Sequence, residues 1–137
     1  MEPDRARALF ANERIACLAT ASAGAVPHVV PVTFALVDDQ IVIAIDHKPK
    51  RSTNLRRLRN IHENPQVSLL ADYYDDDWSR LWWVRADGAA DIHEDGPERE
   101  RALEALAAKY EQYRQHIPAG PVIVTSVGRW SGWAYTE

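Results

Sequence analysis

The sequence predicts a small, mainly β fold: a closed or nearly closed β-barrel with helices packed at its ends. At least six short apolar segments are separated by turn residues, and the connections between the first three suit an antiparallel meander. Apolar residues with helical spacing, in contrast, occur in only three segments. A chain of 137 residues can bury a core of its own, so residues 1–137 are expected to form one domain.

The elements are expected in the order helix, three strands, helix, two strands, helix and strand. Pro31 lies inside the second strand, where it indicates an edge, a bulge or a backbone that faces something other than a strand. Gly88 predicts a kink in the fifth strand, and the third strand, apolar at every position, is expected to be buried on both faces. The predicted bounds are helix 4–12, strands 15–20, 27–36 and 41–45, a helix ending near 62, strands 67–71 and 81–92, a helix from 97 and strand 122–127.

A basic block occupies residues 47–62 of an otherwise acidic chain. The block holds six cations and no Asp or Glu, whereas the whole chain has a formal net charge of -4. Such a block requires a counter-charge, which a phosphate-bearing small molecule, a nucleic acid or an acidic partner would supply. The six cations are Lys48, Lys50, Arg51, Arg56, Arg57 and Arg59.

The block also contains the start of the second helix. Ser52 or Thr53 is expected to cap this helix, which runs to about residue 62. A helix start, hydroxyl groups and cations together suit a phosphate, so phosphate binding is preferred here to a merely solvated charged face.

One stripe of this helix is expected to be buried, because three apolar residues recur every third position. Arg56 and Asn60 are then expected to point away from the stripe, with Arg57 and Arg59 on its flanks. The stripe consists of Leu55, Leu58 and Ile61.

Five tryptophans form a second unusual feature of the sequence. Trp78, Trp82 and Trp83 lie close to the acidic segment 75–77, and packing in the core or in a dimer accounts for some of them. The alternative is that one or two of them, with Trp78 and Trp82 as the candidates, line the slot of a flat aromatic ligand. Trp82 and Trp83 are adjacent, so at least one of them leaves the barrel interior.

The sequence contains no self-contained catalytic or metal-binding motif. The five histidines share no ligand spacing, and there is no phosphate-binding glycine loop or nucleophile elbow. The acidic residues 72–77 are expected to form a solvated loop, and Cys17, within an apolar strand, to be a small buried hydrophobe. No metal and no catalytic side chain is therefore assigned, and a bound cofactor would carry any chemistry. No segment resembles a signal peptide or a membrane span, which favours a cytoplasmic protein.

Three segments resemble the pyridoxamine-5'-phosphate-oxidase-like family of split-barrel proteins. Residues 24–34, GAVPHVVPVTF, resemble the second strand of that family. Residues 59–69, RNIHENPQVSL, resemble its phosphate-binding helix and the strand that follows. Residues 84–90, VRADGAA, resemble its next strand.

A further combination of segments is similar to one actinobacterial subgroup of the family. That subgroup is classed as deazaflavin (coenzyme F420)-dependent enzymes. The segments are HKPK at 47–50, LRRLRNI at 55–61, DDW at 76–78 and LWWVR at 81–85.

The resemblance implies a split β-barrel of the FMN-binding type that forms a homodimer, with two cofactor sites at the subunit interface. It implies that the cofactor phosphate lies against the basic helix, and that the backbone around Pro31, Val32 and Thr33 faces the ring system. Arg57 stands where relatives often have a lysine, which preserves the charge and adds a bidentate fork. With the cations and aromatic residues above, the expected cofactor-binding set is Pro31, Val32, Thr33, Lys48, Lys50, Arg51, Ser52, Arg56, Arg57, Asn60, Trp78 and Trp82.

The expected cofactor is coenzyme F420, with flavin mononucleotide (FMN) as the alternative. Both have a planar tricycle, a ribityl chain and a phosphate, and the deazaflavin adds a lactyl-polyglutamate tail whose carboxylates suit six cations. The expected function is hydride transfer between F420 and a small organic substrate. The alternatives are an FMN-dependent oxidase or reductase and a non-catalytic binder of flavin, deazaflavin or haem. Nucleic acid is not an expected partner because the chain is acidic overall, and no membrane partner is expected.

Overall fold

Seven strands and four helices form in residues 1–45 and 55–136, the part of the chain that the computed structural model describes. The prediction of a mainly β fold is therefore confirmed. The helices are α1 (Pro3–Ala11), α2 (Arg56–Glu63), α3 (Pro97–Lys109) and α4 (Glu111–Gln115). The strands are β1 (Ala16–Ala21), β2 (Pro27–Val32), β3 (Ala35–Val37), β4 (Gln40–Ala44), β5 (Gln66–Tyr73), β6 (Trp82–His93) and β7 (Val122–Ala134).

The seven described strands belong to one sheet in the order β2-β1-β5-β6-β7-β4-β3, and every neighbouring pair is antiparallel. β2 and β3 lie at opposite ends of this order, yet only Thr33 and Phe34 separate them in the chain. The sheet must therefore curl until its two ends approach each other, and its concave face encloses the core. This curled sheet is the nearly closed barrel that the sequence predicts.

The predicted strand 27–36 is in fact two strands. Its first part, β2, pairs with β1, and its second part, β3, pairs with β4. The sequence did not reveal this division, because the order of apolar residues along a strand does not show where its pairing partner changes. β2 pairs with β1 alone among the described strands, so of the three alternatives for Pro31 the structure shows the edge position.

Helices fill and cover the curled sheet from two sides. Phe10 of α1 lies against Phe34 and Trp130, with ring centroids 4.5 and 5.4 Å apart. α3 packs on the other side of β3 and β4, where Leu106 is buried with Val122. Four of the five residues of β4 are buried as a result, which confirms the prediction of a strand covered on both faces.

β6 contains the kink predicted at Gly88. Its pairing with β7 shifts register between Asp87 and Gly88, and a Cβ at position 88 would clash with the carbonyl oxygen of Ser126. β7 extends to Ala134, well beyond the predicted end at residue 127, because it continues to pair with β6. The short helix α4 was not predicted.

α2 begins later than the sequence suggested. Its first residue is Arg56, Leu55 occupies the N-cap position, and no side chain of the described residues caps the helix. Ser52 and Thr53, the residues predicted to cap this helix, lie outside the described part of the chain. None of the described helices is both long enough and apolar enough to cross a membrane.

Candidate functional site

α2 packs against β1 and β6. Leu58 and Ile61 are buried in the core and Leu55 packs against it, so the predicted apolar stripe is confirmed. Asn60, however, is only 2% exposed, although it was expected to point away from the stripe. That expectation is wrong because β1 also covers this side of the helix, so the buried arc is wider than the three apolar residues indicate.

A polar contact inside the protein holds Asn60 in place. Its Nδ2 donates a hydrogen bond to Oγ1 of Thr20 in β1 at 3.0 Å, and both residues are buried. A single hydrogen bond between buried groups is costly to break, because each group then lacks a partner and has no access to water. The contact therefore fixes the rotation of α2 against β1 and decides which of its cations face inwards.

Arg57 is the cation of α2 that lies nearest the core. It precedes Asn60 by three residues and Ile61 by four, so it shares their side of the helix. Its Nε is buried and has no hydrogen-bond partner in the described chain, and burial lowers the pKa of its guanidinium. Arginine nevertheless stays protonated in proteins. A buried charged donor without an acceptor is unfavourable, and an anion against Arg57 would satisfy it.

His28 places a second unpaired nitrogen near the same helix. It lies on the inner face of β2, directly opposite Thr20 in the pairing of β1 with β2. Its Nδ1 is buried without a partner in the described residues. Because Thr20 also contacts Asn60 of α2, His28 and Arg57 both belong to the end of the barrel that α2 covers.

The other two arginines of α2 face outwards, as expected for Arg56. Both are exposed, and neither forms a salt bridge with a carboxylate of the described chain. They border a surface depression of about 240 Å³. This depression is lined by Ser22, Arg56, Arg59, Asn60 and Glu63.

Pro31, Val32 and Thr33 form the end of β2 and the first residue after it. Pro31 is exposed on the outer face, Val32 is buried, and Thr33 is half-buried. Oγ1 of Thr33 lies 2.8 Å from the hydroxyl oxygen of Tyr113, which ties this segment to α4. Since no described strand pairs with the other side of β2, the backbone of this edge is available to a ligand.

A cavity of about 320 Å³ opens beside Thr33, next to α3 and α4. Tyr110 makes its wall rigid, because its hydroxyl accepts from the N–H of Phe34 and donates to the carbonyl oxygen of Arg14. Burial raises the pKa of Tyr110, so this hydroxyl keeps its proton at neutral pH. The cavity is lined by Thr33, Tyr110, Gln112, Tyr113 and His116.

α2 is connected to β2 through Thr20 of β1. Val32 follows His28 by four residues, which corresponds to about 13 Å of extended strand. His28 pairs with Thr20, and Thr20 in turn contacts Asn60 of α2. Thr20 therefore links α2 to the part of β2 that contains His28, four residues before Val32.

Trp78 and Trp82 are not brought to α2 within the chain. β5, Gln66–Tyr73, leads away from the end of α2 and spans eight residues, about 23 Å of extended strand. Trp78 lies beyond its far end in a short 3-10 turn and is 62% exposed. Trp82 packs against the core, whereas Trp83 points to the outer face, as strand alternation predicts.

The other members of the predicted cofactor-binding set lie outside the described residues. They are Lys48, Lys50, Arg51 and Ser52. Their assignment stays a prediction from the sequence.

The acidic segment after β5 forms a loop, as predicted, and its own hydrogen bonds organise it. Asp75 accepts from the backbone N–H of Asp77 at 2.7 Å and from the hydroxyl of Tyr73 at 3.0 Å. These two hydrogen bonds lower the pKa of Asp75, and Arg80 at 3.7 Å adds to the effect. In the described residues, no group of three or more His, Cys, Asp or Glu side chains could hold a metal ion.

The outer face of the sheet exposes apolar side chains on several neighbouring strands. Val29 is 61% exposed, Leu70 41% and Trp133 43%. Cys17 is also exposed and lies between Pro31 of β2 and Leu70 of β5 in the sheet. The expectation of a buried Cys17 is therefore wrong, because residues 16 and 18 of β1 face the core and residue 17 faces outwards.

A family model described as pyridoxamine 5'-phosphate oxidase matches residues 3–134. The chain belongs to the pyridoxamine 5'-phosphate oxidase family. The resemblance seen in the sequence is thereby confirmed for the family, and with it the split-barrel fold. The F420-dependent subgroup is a finer assignment, which the match to the oxidase family does not address.

Solved structures with this fold come from several bacteria. A conserved hypothetical protein of Mycobacterium tuberculosis has a TM-score of 0.79 at 19% identity, over 98% of this chain and 86% of that chain. An FAD-binding protein of Mesorhizobium loti has a TM-score of 0.73 at 18% identity, over 96% and 94%. HutZ, a haem storage protein of Vibrio cholerae, has a TM-score of 0.72 at 18% identity, over 98% and 95%. A search of curated proteins finds no match.

Sequence reasoning missed several residues of this site, among them Thr20, His28, Tyr113 and His116. Thr20 and His28 occupy inward positions of strands, and a polar residue at such a position is the one signal that could have singled them out. Tyr113 lies in α4, which has no clear helical pattern, so its contact with Thr33 could not be inferred from the sequence.

Proposed function

We propose that this member of the family binds a phosphate-bearing flavin-type cofactor, with coenzyme F420 as the first candidate, and transfers a hydride between it and a small organic substrate. The observation that carries the proposal is the buried Nε of Arg57, which has no hydrogen-bond partner in the described chain. A guanidinium suits a phosphate because its planar fork matches two phosphate oxygens. One domain over residues 1–137 is part of the proposal.

The proposed position of the cofactor follows the edge of β2. The phosphate lies against Arg57 and Asn60, and the ring system lies against the backbone of Pro31, Val32 and Thr33. His28, opposite Thr20, and Val32 are separated by about 13 Å of extended strand, along which the ribityl chain between ring and phosphate would run. Further contacts are proposed for Lys48, Lys50, Arg51, Ser52 and Arg56.

When bound, a cofactor of this class accepts or delivers a hydride. The chain's own residues would bind and orient the reactants and exclude water from them. The cavity of about 320 Å³ beside Thr33 adjoins the proposed ring position and suits a small organic substrate. The hydroxyls of Thr33 and Tyr113, together with the ring of His116, offer hydrogen bonds that would orient such a substrate.

A homodimer belongs to the same proposal. A second copy on the outer face of the sheet would remove exposed apolar side chains such as Val29, Leu70 and Trp133 from water. Trp78 and Trp82 are separated from α2 of their own chain by the length of β5. They are therefore proposed to contact the cofactor that the second copy holds.

Charge is the reason to prefer F420 over FMN. FMN ends at its phosphate, whereas the deazaflavin continues into a tail with several carboxylates. The basic block 47–62 holds six cations and no acidic residue, more than one phosphate requires.

FMN and haem are the two competing ligands. FMN shares the ring, the ribityl chain and the phosphate, and a flavin-binding protein from Mesorhizobium loti has the same fold. Haem is considered because HutZ has the same fold and because His28 has a ring nitrogen without a partner in the described residues.

Titration of the purified protein distinguishes these ligands. Fluorescence quenching reports F420 and FMN, and the Soret band reports haem. We expect F420 to bind about tenfold more tightly than FMN or better, which is a difference of about 1.4 kcal/mol. Tighter binding of FMN would show that FMN, and not F420, is the cofactor. The proposed phosphate site would be unchanged. Haem binding without binding of either phosphate ligand would overturn the proposal.

A further inference from the structure

The cavity beside Thr33 has a lining with several polar groups and almost no charge. None of its described lining residues is an Asp, Glu, Lys or Arg, and His116 is the one that can gain a positive charge. His116 is exposed, so water weakens the effect of such a charge. A charged ligand in this cavity would lose hydration without gaining a counter-ion. The lining therefore favours an uncharged ligand.

The rings of Tyr110 and Tyr113 contribute apolar surface to the cavity. Their centroids are 5.7 Å apart and their planes stand at 79°, which is an edge-to-face arrangement. The hydroxyl of Tyr110 is already engaged by the N–H of Phe34 and the carbonyl oxygen of Arg14, so its proton is not available to a ligand. Two perpendicular aromatic rings suit a flat ring, which can stack on one of them and meet the edge of the other.

The hydroxyl pair of Thr33 and Tyr113 differs from Tyr110, because it keeps one proton free. Oγ1 of Thr33 and the hydroxyl oxygen of Tyr113 are 2.8 Å apart, so one of the two hydroxyl protons lies between them. Neither oxygen has a second hydrogen-bond partner elsewhere in the described chain. The other proton is therefore available to an acceptor, whichever hydroxyl donates within the pair. A carbonyl oxygen is an acceptor that complements this donor.

We propose that this cavity selects an uncharged, flat ring compound that carries a carbonyl oxygen, and that the hydroxyl pair of Thr33 and Tyr113 recognises this oxygen. The inference rests on the proposed function in one respect, namely that the ligand of the cavity is the substrate. It narrows the substrate from a small organic molecule to a neutral ring carbonyl compound, and it excludes carboxylates and amines. Thr33 and Tyr113 are then the residues that determine specificity.

Four probes that share a benzene ring test this selection in the protein without cofactor: acetophenone, ethylbenzene, benzoate and benzylamine. Acetophenone and ethylbenzene have nearly the same shape and differ in the carbonyl oxygen, whereas benzoate and benzylamine are charged at neutral pH. Ligand-observed NMR titrations measure the dissociation constants. We expect acetophenone to bind about fivefold more tightly than each of the other three, as one additional hydrogen bond allows.

The double variant Thr33→Val/Tyr113→Phe removes both hydroxyls and nearly keeps the shape of the two side chains. It should bind acetophenone and ethylbenzene equally, and retained binding of ethylbenzene shows that the cavity is intact. Two substitutions are needed because either hydroxyl alone would have its proton free for the ligand. Tyr135→Phe is the matched control. Tyr135 is 61% exposed and does not line the cavity, so this variant should keep the preference for acetophenone.

The inference is overturned if acetophenone does not bind, if the unmodified protein binds it no more tightly than ethylbenzene, or if the preference survives in the double variant. Tighter binding of benzoate than of acetophenone would also overturn it, and would indicate an anion site at His116. Amide chemical shifts locate the bound probe, and shifts that do not centre on Thr33 and α4 would contradict the inference. None of these titrations contains a cofactor, so their failure is separate from a failure of F420 and FMN to bind.

Discussion

Asn60 and Thr20 show how a buried polar pair can fix the orientation of a helix against a strand. The hydrogen bond between them orients α2 so that Arg57 faces inwards and Arg59 faces outwards. From the sequence alone, Asn60 was one more polar residue on a charged helix. Its burial depends on the position of β1, which is far away in the chain.

The substitution Asn60→Leu should lower the free energy of unfolding by about 2 kcal/mol, because it leaves the Thr20 hydroxyl buried without its partner. The double variant Thr20→Val/Asn60→Leu should recover part of this loss, since both polar groups are then removed. Urea denaturation of the two single variants and the double variant measures the coupling. Strictly additive effects would show that the hydrogen bond does not join the helix to the strand.

Lys109 gives the stability of the protein a pH dependence. Its Nζ lies 3.7 Å from the centre of the Phe34 ring and 3.3 Å from the carbonyl oxygen of Ala11. Burial, with the charge of Arg14 nearby, lowers the pKa of Lys109 from 10.5 to about 8. The folded chain therefore releases this proton near pH 8, whereas the unfolded chain holds it until about pH 10.5.

The contribution of Lys109 to the free energy of unfolding should therefore rise between pH 8 and pH 10.5. We expect a rise of about 1–2 kcal/mol after allowing for solvent screening of a half-buried group. The variant Lys109→Met should lack this contribution, and the difference between the two proteins across this range isolates it from other titrations. Parallel stability curves for the two proteins would contradict the lowered pKa.

Among single helices and strands, the features predicted from the sequence are those with a local mark in it. The features that depend on which strands lie next to each other were missed. The apolar stripe of α2 and the kink at Gly88 were predicted because each leaves a local mark: a spacing of three and a glycine inside a strand. The division of strand 27–36 and the burial of Asn60 were missed. Both depend on which strand lies alongside, and neither changes the apolar pattern.

Gly88 should be intolerant of a side chain, because β6 and β7 approach each other closely at the register shift. We expect Gly88→Ala to lower the free energy of unfolding by about 3 kcal/mol through a forced displacement of the two strands. Gly24→Ala is the matched control, since the nearest atom to a Cβ there is 3.8 Å away. Similar melting temperatures for the two variants would contradict the tight approach of the strands.

In the whole molecule, two features of the described chain fit the proposed second copy: an exposed apolar sheet face, and two tryptophans that lie far from α2. The outer face of the sheet exposes Val29, Leu70 and Trp133. Trp78 and Trp82 lie at the end of β5 far from α2. The sequence implied a dimer through its family resemblance, but it did not show which strand residues face outwards, as the exposed Cys17 illustrates.

The substitution Leu70→Glu should convert the proposed dimer to a monomer, because a carboxylate at an apolar interface would lose its hydration without gaining a partner. Light scattering coupled to size-exclusion chromatography measures the mass. Ile117→Glu is the control, as Ile117 is 70% exposed and lies outside the sheet. A monomeric unmodified protein, or a dimer unaffected by Leu70→Glu, would exclude this face as the interface.

If Arg57 binds the phosphate of a flavin-type cofactor, this phosphate should contribute to affinity only while the arginine is present. FMN and riboflavin differ only in the phosphate, so the ratio of their dissociation constants measures its contribution. We expect this ratio to be about tenfold or more for the unmodified protein, to fall close to one in Arg57→Met, and to persist in the control Arg59→Met. The free energy of unfolding of Arg57→Met should not fall, because the buried Nε has no partner in the described chain to lose. A ratio that is the same in Arg57→Met as in the unmodified protein would show that Arg57 does not bind the phosphate.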